Sequence, residues 1–378
     1  MSREEPTTRP TWLQRYVLPG LAFKAVVIGG GYATGRELAE FFLPSGPVGG
    51  LLAMLTAVAV WSGVCALTFA FAVRFRLLDY RAFFGRLLGR GWFLFELTYF
   101  ALVLLILAVF AAASGAVGQA LFGWPSLVGA GLLLTAIAIF VAFGAPAVEP
   151  LFKWVSVLLY GTYAVFLSLS LWKFGPMIGA HLRGTPGNGW LIGGLTYAGY
   201  NAVGAVVILP VLRHLRSERE AVLAGVAAGP LAMIPGFFFF LSMIAWYPEV
   251  GRSPLPSDFL LLKIGIPIVR LLFQAMIFFA LLESGVGVVH AIMERARHAL
   301  KARTGREPGR WVRGAVALAA LATAVVAAQG IGLVDLIAKG YRFISWVLIA
   351  IFIGPVVVVS AWRPRAIYGP EPDAFARK

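Results

Sequence analysis

Ten apolar stretches, each long enough to cross a bilayer, occupy most of this sequence. A spanning helix needs about 20 mostly apolar residues. The stretches run 17–43, 47–73, 93–121, 125–144, 149–172, 190–212, 220–247, 264–293, 311–329 and 333–362. Composition agrees: 60% of the residues are hydrophobic and 13% charged, with a mean hydropathy of +0.85. A typical soluble domain carries about 25% charged residues. No soluble core hides so much apolar surface, so an ordinary cytosolic enzyme is excluded. The runs are continuous rather than alternating, which argues against a β-barrel. The expectation is an all-α polytopic membrane protein.

Charge placement supplies the orientation. The net charge is +15, which by itself suits a nucleic-acid partner. Sorted by segment, 22 of the 32 basic residues fall on one face and 4 on the other when the N-terminus is cytoplasmic. The positive-inside rule then predicts both termini in the cytoplasm and an even number of spans. The excess faces anionic headgroups, so a lipid bilayer is the expected partner and nucleic acid is not. The oligomeric state is not legible. The expected location is a bacterial-type cytoplasmic membrane. The first 16 residues are polar and hold Pro6 and Pro10, so no cleavable signal peptide is expected there. The single cysteine, Cys65, forms no disulfide within the chain and belongs to no metal-ligand spacing.

Ten spans divide five and five. The expected organisation is a cytoplasmic segment 1–16, a first repeat 17–172, an outer loop 173–189, a second repeat 190–362 and a cytoplasmic tail 363–378. With an odd number of spans per half, the second half runs in the opposite direction, as in inverted-repeat transporters. Such proteins break helices at matching places in the two halves. Span 1 reads Val27-Ile-Gly-Gly-Gly-Tyr-Ala-Thr-Gly35, with Gly29, Gly30, Gly31 and Gly35. Span 6 reads Gly193-Gly-Leu-Thr-Tyr-Ala-Gly-Tyr-Asn-Ala-Val-Gly204. Each helical glycine costs about 1 kcal/mol relative to alanine, and unwound backbone in a membrane is tolerated only beside protein or a cavity. Close helix packing also favours small residues. Two glycine-rich helices in corresponding places, each with Tyr, Thr or Asn, point instead to a solute site. Its expected lining is Gly29, Gly30, Gly31, Tyr32, Thr34, Gly35, Tyr197, Gly199, Tyr200 and Asn201. Amides near Thr34 and Gly35 are expected to hold an anionic group.

On these residues the chain resembles the amino acid–polyamine–organocation superfamily, with its LeuT-type fold and broken helices 1 and 6. The run Gly29-Gly-Gly-Tyr-Ala-Thr-Gly-Arg-Glu-Leu-Ala-Glu-Phe-Phe42, with Ile337-Ala-Lys-Gly-Tyr341, resembles the YkvI-like bacterial membrane proteins. The resemblance implies secondary transport of a small polar solute, an amino acid or related amine, coupled to H⁺ or Na⁺. It implies no cofactor beyond a bound Na⁺.

Ionisable side chains inside spans are candidates for function by default. Glu283 lies deep in span 8, followed by Ser284. The resemblance places this part of helix 8 opposite the break in helix 1, where relatives hold sodium with hydroxyls. Glu283 and Ser284 are therefore the expected ion-coupling pair. Lys153 in span 5 and Lys24 in span 1 are further coupling candidates, although both are near enough to a membrane face to snorkel. Arg36 and Glu37 follow the first break, while Asp335 and Lys339 open span 10. The resemblance makes Arg36 with Asp335 an expected outer gate, and Glu37 with Lys339 or Arg342 a second pair. Solvated charge worth little is the competing account. Glu96, Arg270, Glu149 and Asp258 read as interfacial. Phe237–Phe240 reads as packing, and 253–262 as a helical lid.

Other functional classes fit less well. A membrane enzyme needs a cluster of ligands or a nucleophile with its base, and the four histidines form neither. A channel also uses broken helices, but the inverted halves favour alternating access. A solute sensor of the same fold is the remaining alternative, since fold does not fix function.

Overall fold

The computed structural model describes residues 11–143, 145–305 and 309–362, and its described residues contain helices and no strands. The first apolar run is cut into four helices: α1 (Trp12–Tyr16), α2 (Leu18–Val27), α3 (Gly30–Ala33) and α4 (Arg36–Phe41). Next come α5 (Gly46–Phe75), a short α6 (Tyr80–Leu88), α7 (Trp92–Phe122), α8 (Ser126–Phe143) and α9 (Ala145–His181). The second half holds α10 (Trp190–Asn201), α11 (Gly204–Val207), α12 (Glu218–Ile244), α13 (Pro256–Ile264) and α14 (Pro267–Thr304). It closes with α15 (Arg310–Ile331), α16 (Leu333–Asp335), α17 (Arg342–Leu348) and α18 (Gly354–Trp362), with π-helical turns at Leu336–Tyr341 and Ile349–Ile353.

Helix ends follow their side chains. Thr11 and Gln14 form a reciprocal capping box on α1. Asp79 accepts from the Ala82 amide at 3.0 Å and starts α6, and Ser217 accepts from the Glu220 amide at 3.3 Å to start α12. Gly123 and Gly265 stop α7 and α13 with φ near 67° and 77°, a conformation that is cheap only without a Cβ.

Among the described residues, six helical stretches are long and apolar enough to cross a membrane: 36–75, 80–122, 218–244, 267–297, 314–331 and 333–360. Two more apolar helices, Leu18–Val27 and Ser126–Ala142, are shorter. Several expected boundaries move. Runs 17–43 and 190–212 are each split, so neither is a continuous spanning helix. α14 passes the expected end at 293 by eleven residues, carrying Arg295 with it. The amphipathic α6 lies between the apolar runs 47–73 and 93–121; its buried Phe83 packs on Phe352, and Phe84 on Phe95 and Phe352. The expected lid region does become helix, as α13.

The core is made where small residues let backbones meet. α12 lies along α5, and a Cβ on Gly225 would overlap the Ala66 backbone, while one on Gly229 would overlap Ser62. Ser62 Oγ donates to Val226 O at 2.8 Å across the same seam. α7 and α8 meet likewise, with Ser114 Oγ donating to Gly129 O at 2.8 Å. In lipid such contact is made by van der Waals fit rather than by excluded water. Gly225→Val is therefore expected to destabilise by roughly 1–3 kcal/mol through overpacking, although leaving glycine normally favours a helix. A lower melting temperature in detergent would show it; an unchanged one would place no tight contact at this seam.

Candidate functional site

The two breaks lie in one buried neighbourhood. In the first, Ile28 leaves helical geometry with ψ 75°, and Gly35 adopts φ 77°, reorienting the chain between α3 and α4. The second is milder, a tightened turn at 202–203 between α10 and α11 in which Ala202 and Val203 both keep right-handed helical dihedrals. Phe41 and Phe42 of the first segment meet Tyr197 at 5.6 and 4.7 Å between ring centroids. Trp61 of α5 meets Tyr197 at 5.4 Å and donates from Nε1 to Ala198 O at 3.3 Å.

The glycines of span 6 do not unwind it. Gly193, Gly194 and Gly199 stay helical in α10, where a Cβ would collide with Phe41 O, Ala53 O or, at 3.0 Å, Ser345 Cβ. Their work is close approach. The break comes later, just before Gly204.

The amides near Thr34 and Gly35 are not free in this conformation. Gly35 N donates to Tyr32 O at 3.0 Å, and Arg36 N donates to Thr34 Oγ1 at 3.2 Å. Thr34 O in turn accepts from Ser257 N at 3.0 Å, tying the break to α13. Unmet polar groups lie elsewhere: the hydroxyls of Tyr32 and Tyr197 are buried without a hydrogen-bond partner among the described residues. Tyr32 lies against α12, its hydroxyl filling the notch left by Gly236. Asn201 is spoken for, with Nδ2 donating to Tyr197 O at 3.1 Å. A buried hydroxyl without a partner costs free energy.

Glu37 is 5% exposed, and its Oε2 accepts from the Tyr200 hydroxyl at 2.5 Å. Tyr200 stacks on Tyr341 at 4.5 Å. Neither Lys339 nor Arg342 reaches Glu37. Lys339 Nζ donates to Asp335 at 3.1 Å on the surface, and Arg342 pairs with Glu40 at 3.3 Å. Burying a charged carboxylate costs several kcal/mol per ion after relaxation. One hydrogen bond to it returns only about 1.5–3 kcal/mol.

The expected Arg36–Asp335 pair is not formed here. Arg36 donates to Gly251 O at 2.8 Å, Ser253 O at 3.1 Å and Glu40 Oε2 at 3.1 Å. The carbonyls come from the turn before α13, which the sequence does not mark as a partner for span 1. α4 and the Leu336–Tyr341 turn do meet, joined by Glu40 and Arg342 rather than by Arg36 and Asp335.

Glu283 is half-buried in α14 and has no hydrogen-bond or ion-pair partner among the described residues. α14 packs against α3 of the first break. Ser284 is its neighbour, also half-buried. Lys24 does not approach them: its Nζ lies 4.9 Å from the Tyr160 ring centroid. The Lys153 side chain lies outside the described residues, as does that of Glu149.

Asp258 and Arg270, read as interfacial from the sequence, form a pair within the protein. Asp258 is 7% exposed. Arg270 donates to both of its oxygens at 2.7 and 3.0 Å, and Gln274 Nε2 donates to Oδ1 at 2.8 Å. Arg270 also donates to Ala120 O at 2.8 Å, so the cluster joins α13, α14 and α7. Its signal in the sequence is Arg270 and Gln274 one turn apart on one face of the apolar first turns of α14.

No family model matches the chain, and no curated protein matches it. Solved structures do. MhsT in complex with L-phenylalanine aligns with a TM-score of 0.56 at 18% identity, over 96% of this chain and 90% of that one. A Na⁺-coupled sialic acid symporter, solved substrate-bound and outward-open, aligns with a TM-score of 0.53 at 14% identity, over 93% and 92%. The Eremococcus coleocola manganese transporter, bound to an aromatic bis-isothiourea compound, aligns with a TM-score of 0.52 at 15% identity, over 99% and 84%. The path of the chain, with its breaks after Val27 and Asn201, is thus the LeuT-type fold that these transporters share.

Proposed function

We propose that this protein is a secondary transporter that moves a small polar solute, an amino acid or related amine, by alternating access coupled to H⁺ or Na⁺. In this reading ten spans form a five-plus-five inverted repeat in a bacterial-type cytoplasmic membrane, both termini inside, within the amino acid–polyamine–organocation superfamily and near its YkvI-like members. The observation that carries it is a pair of buried hydroxyls, Tyr32 and Tyr197, one near each helix interruption and neither with a partner among the described residues. The solute sits between 29–35 and 197–201 and satisfies them, with Asn201 and Tyr200 lining the same space. Glu283 and Ser284, on the helix that packs against α3, line the ion's route. Lys24 and Lys153 remain further candidates for ion coupling in this reading. Arg36, Glu37, Asp335 and Lys339 belong to the outer gate, closed here by Arg36 on the 251–253 carbonyls and opening as α13 moves.

Thermal shift of the purified protein against amino acids, amines and nucleobases, with and without Na⁺, tests this. A ligand at a hundredfold its Kd stabilises by about 2.7 kcal/mol, and the same compound is expected to enter proteoliposomes. Binding without uptake would convert the reading to a sensor. No shift from any compound would remove the solute site.

A further inference from the structure

Among the described residues, Glu37 is the most deeply enclosed carboxylate, 5% exposed. It sits one residue past Arg36, whose guanidinium points away to Gly251, Ser253 and Glu40. Each neighbouring element brings an uncharged or occupied group. α10 brings Tyr200, hydrogen-bonded to it, and Tyr197. The Leu336–Tyr341 turn brings Tyr341, and α3 brings Tyr32, both within electrostatic reach. On that same turn Lys339 is exposed and held by Asp335. Behind α4, Asp258 is taken by Arg270, and Glu249 and Arg252 are exposed. Glu37 thus has four tyrosines around it and no cation among the described residues. An acid so placed has one ready countercharge, a proton.

We propose that Glu37 is a proton-binding site, and that its protonation and release make the proton a coupling ion of this chain. The second half rests on the transporter reading; the first does not. With the Arg36 contacts closed, the carboxylic acid is sealed by Tyr200. Rotation of α4 away from α10 breaks that hydrogen bond and opens the group to water, which takes the proton and leaves the carboxylate.

Infrared spectroscopy of the full-length protein in lipid vesicles tests the site without any solute. At neutral pH the wild type is expected to show a protonated-carboxyl C=O band that shifts in D2O. Glu37→Gln loses it, Glu283→Gln keeps it, and Tyr200→Phe, which retains the ring but not the donor, moves it. A missing band, a band unchanged in Glu37→Gln, or a band lost in Glu283→Gln instead would overturn the assignment. Should Glu37→Gln fail to fold, the Tyr200→Phe shift decides.

Coupling is read with a mixture of the standard amino acids and small amines, uptake being followed by mass spectrometry. An inward gradient of about one pH unit is expected to raise accumulation by up to about tenfold in wild type and not in Glu37→Gln. Uptake that follows Na⁺ and ignores pH would overturn the coupling role. No uptake by wild type would remove the transporter reading, and the band alone would then decide the proton site.

Discussion

Asp258→Ala is expected to destabilise the protein by roughly 3 kcal/mol, among the largest effects of any single substitution here. Removing one partner of a buried pair strands the other charge, at a cost of about 3–5 kcal/mol. The low end applies because Arg270 keeps 24% of its side chain exposed while Asp258 keeps 10%. Gln274, fully buried, loses its acceptor as well. The double substitution Asp258→Leu with Arg270→Met is expected to recover most of the loss, since apolar replacement of such a pair is often neutral. Denaturation in mild detergent checks both. A loss below 1 kcal/mol for the single variant, or additivity in the double, would show that the three groups are not one network. The position matters for function because α13 also carries Ser257, whose amide holds Thr34 at the first break.

Gly35→Ala is expected to cost roughly 2–5 kcal/mol from two separable sources. A left-handed residue other than glycine costs about 1–2 kcal/mol. The new Cβ would also lie 2.6 Å from Phe239 Cε1 and 3.2 Å from Pro256 Cβ, an overpacking worth about 1–3 kcal/mol. Trimming Phe239 to leucine should relieve the second part and leave the first. Gly35 sets the direction in which α4 leaves the break, so the same change is expected to displace Arg36 and Glu37. It should weaken any solute-dependent thermal shift more than Gly225→Val does. Equal weakening by the two would remove the special place of Gly35.

Much of this architecture was legible because a membrane simplifies the problem. Lipid offers no hydrogen bonds, so apolar runs become helices. The clustered glycines after Val27 marked the first break, and Gly35 sits where the chain turns. In span 6 the same signal misled: Gly193, Gly194 and Gly199 sit in continuous helix because Phe41 O, Ala53 O and Ser345 press on them. Glycine serves both to unwind and to pack, and sequence does not separate the two. The four-phenylalanine run split as packing does, with Phe239 and Phe240 buried and Phe237 and Phe238 each 39% exposed.

The charged residues show where the reading ran out. Arg36, Glu37, Asp335 and Lys339 were all expected near one another, and the two helix ends do meet. Which of them pair is a matter of angstroms, set by where α13 and the 251–253 turn come to rest. Asp258 and Arg270 read as interfacial because they lie near span ends; that they pair with each other and that Arg270 reaches Ala120 O on α7 was not legible. By itself, then, the sequence determined the helical class, the approximate extent of the apolar runs and the first break, all consequences of local composition and of lipid as solvent. Only the tertiary structure decided which buried polar groups are satisfied, which are left open, and that Glu37 faces tyrosines rather than a cation. Pairing depends on contacts between segments up to some three hundred residues apart, as Glu40 and Arg342 are, and no local pattern encodes them.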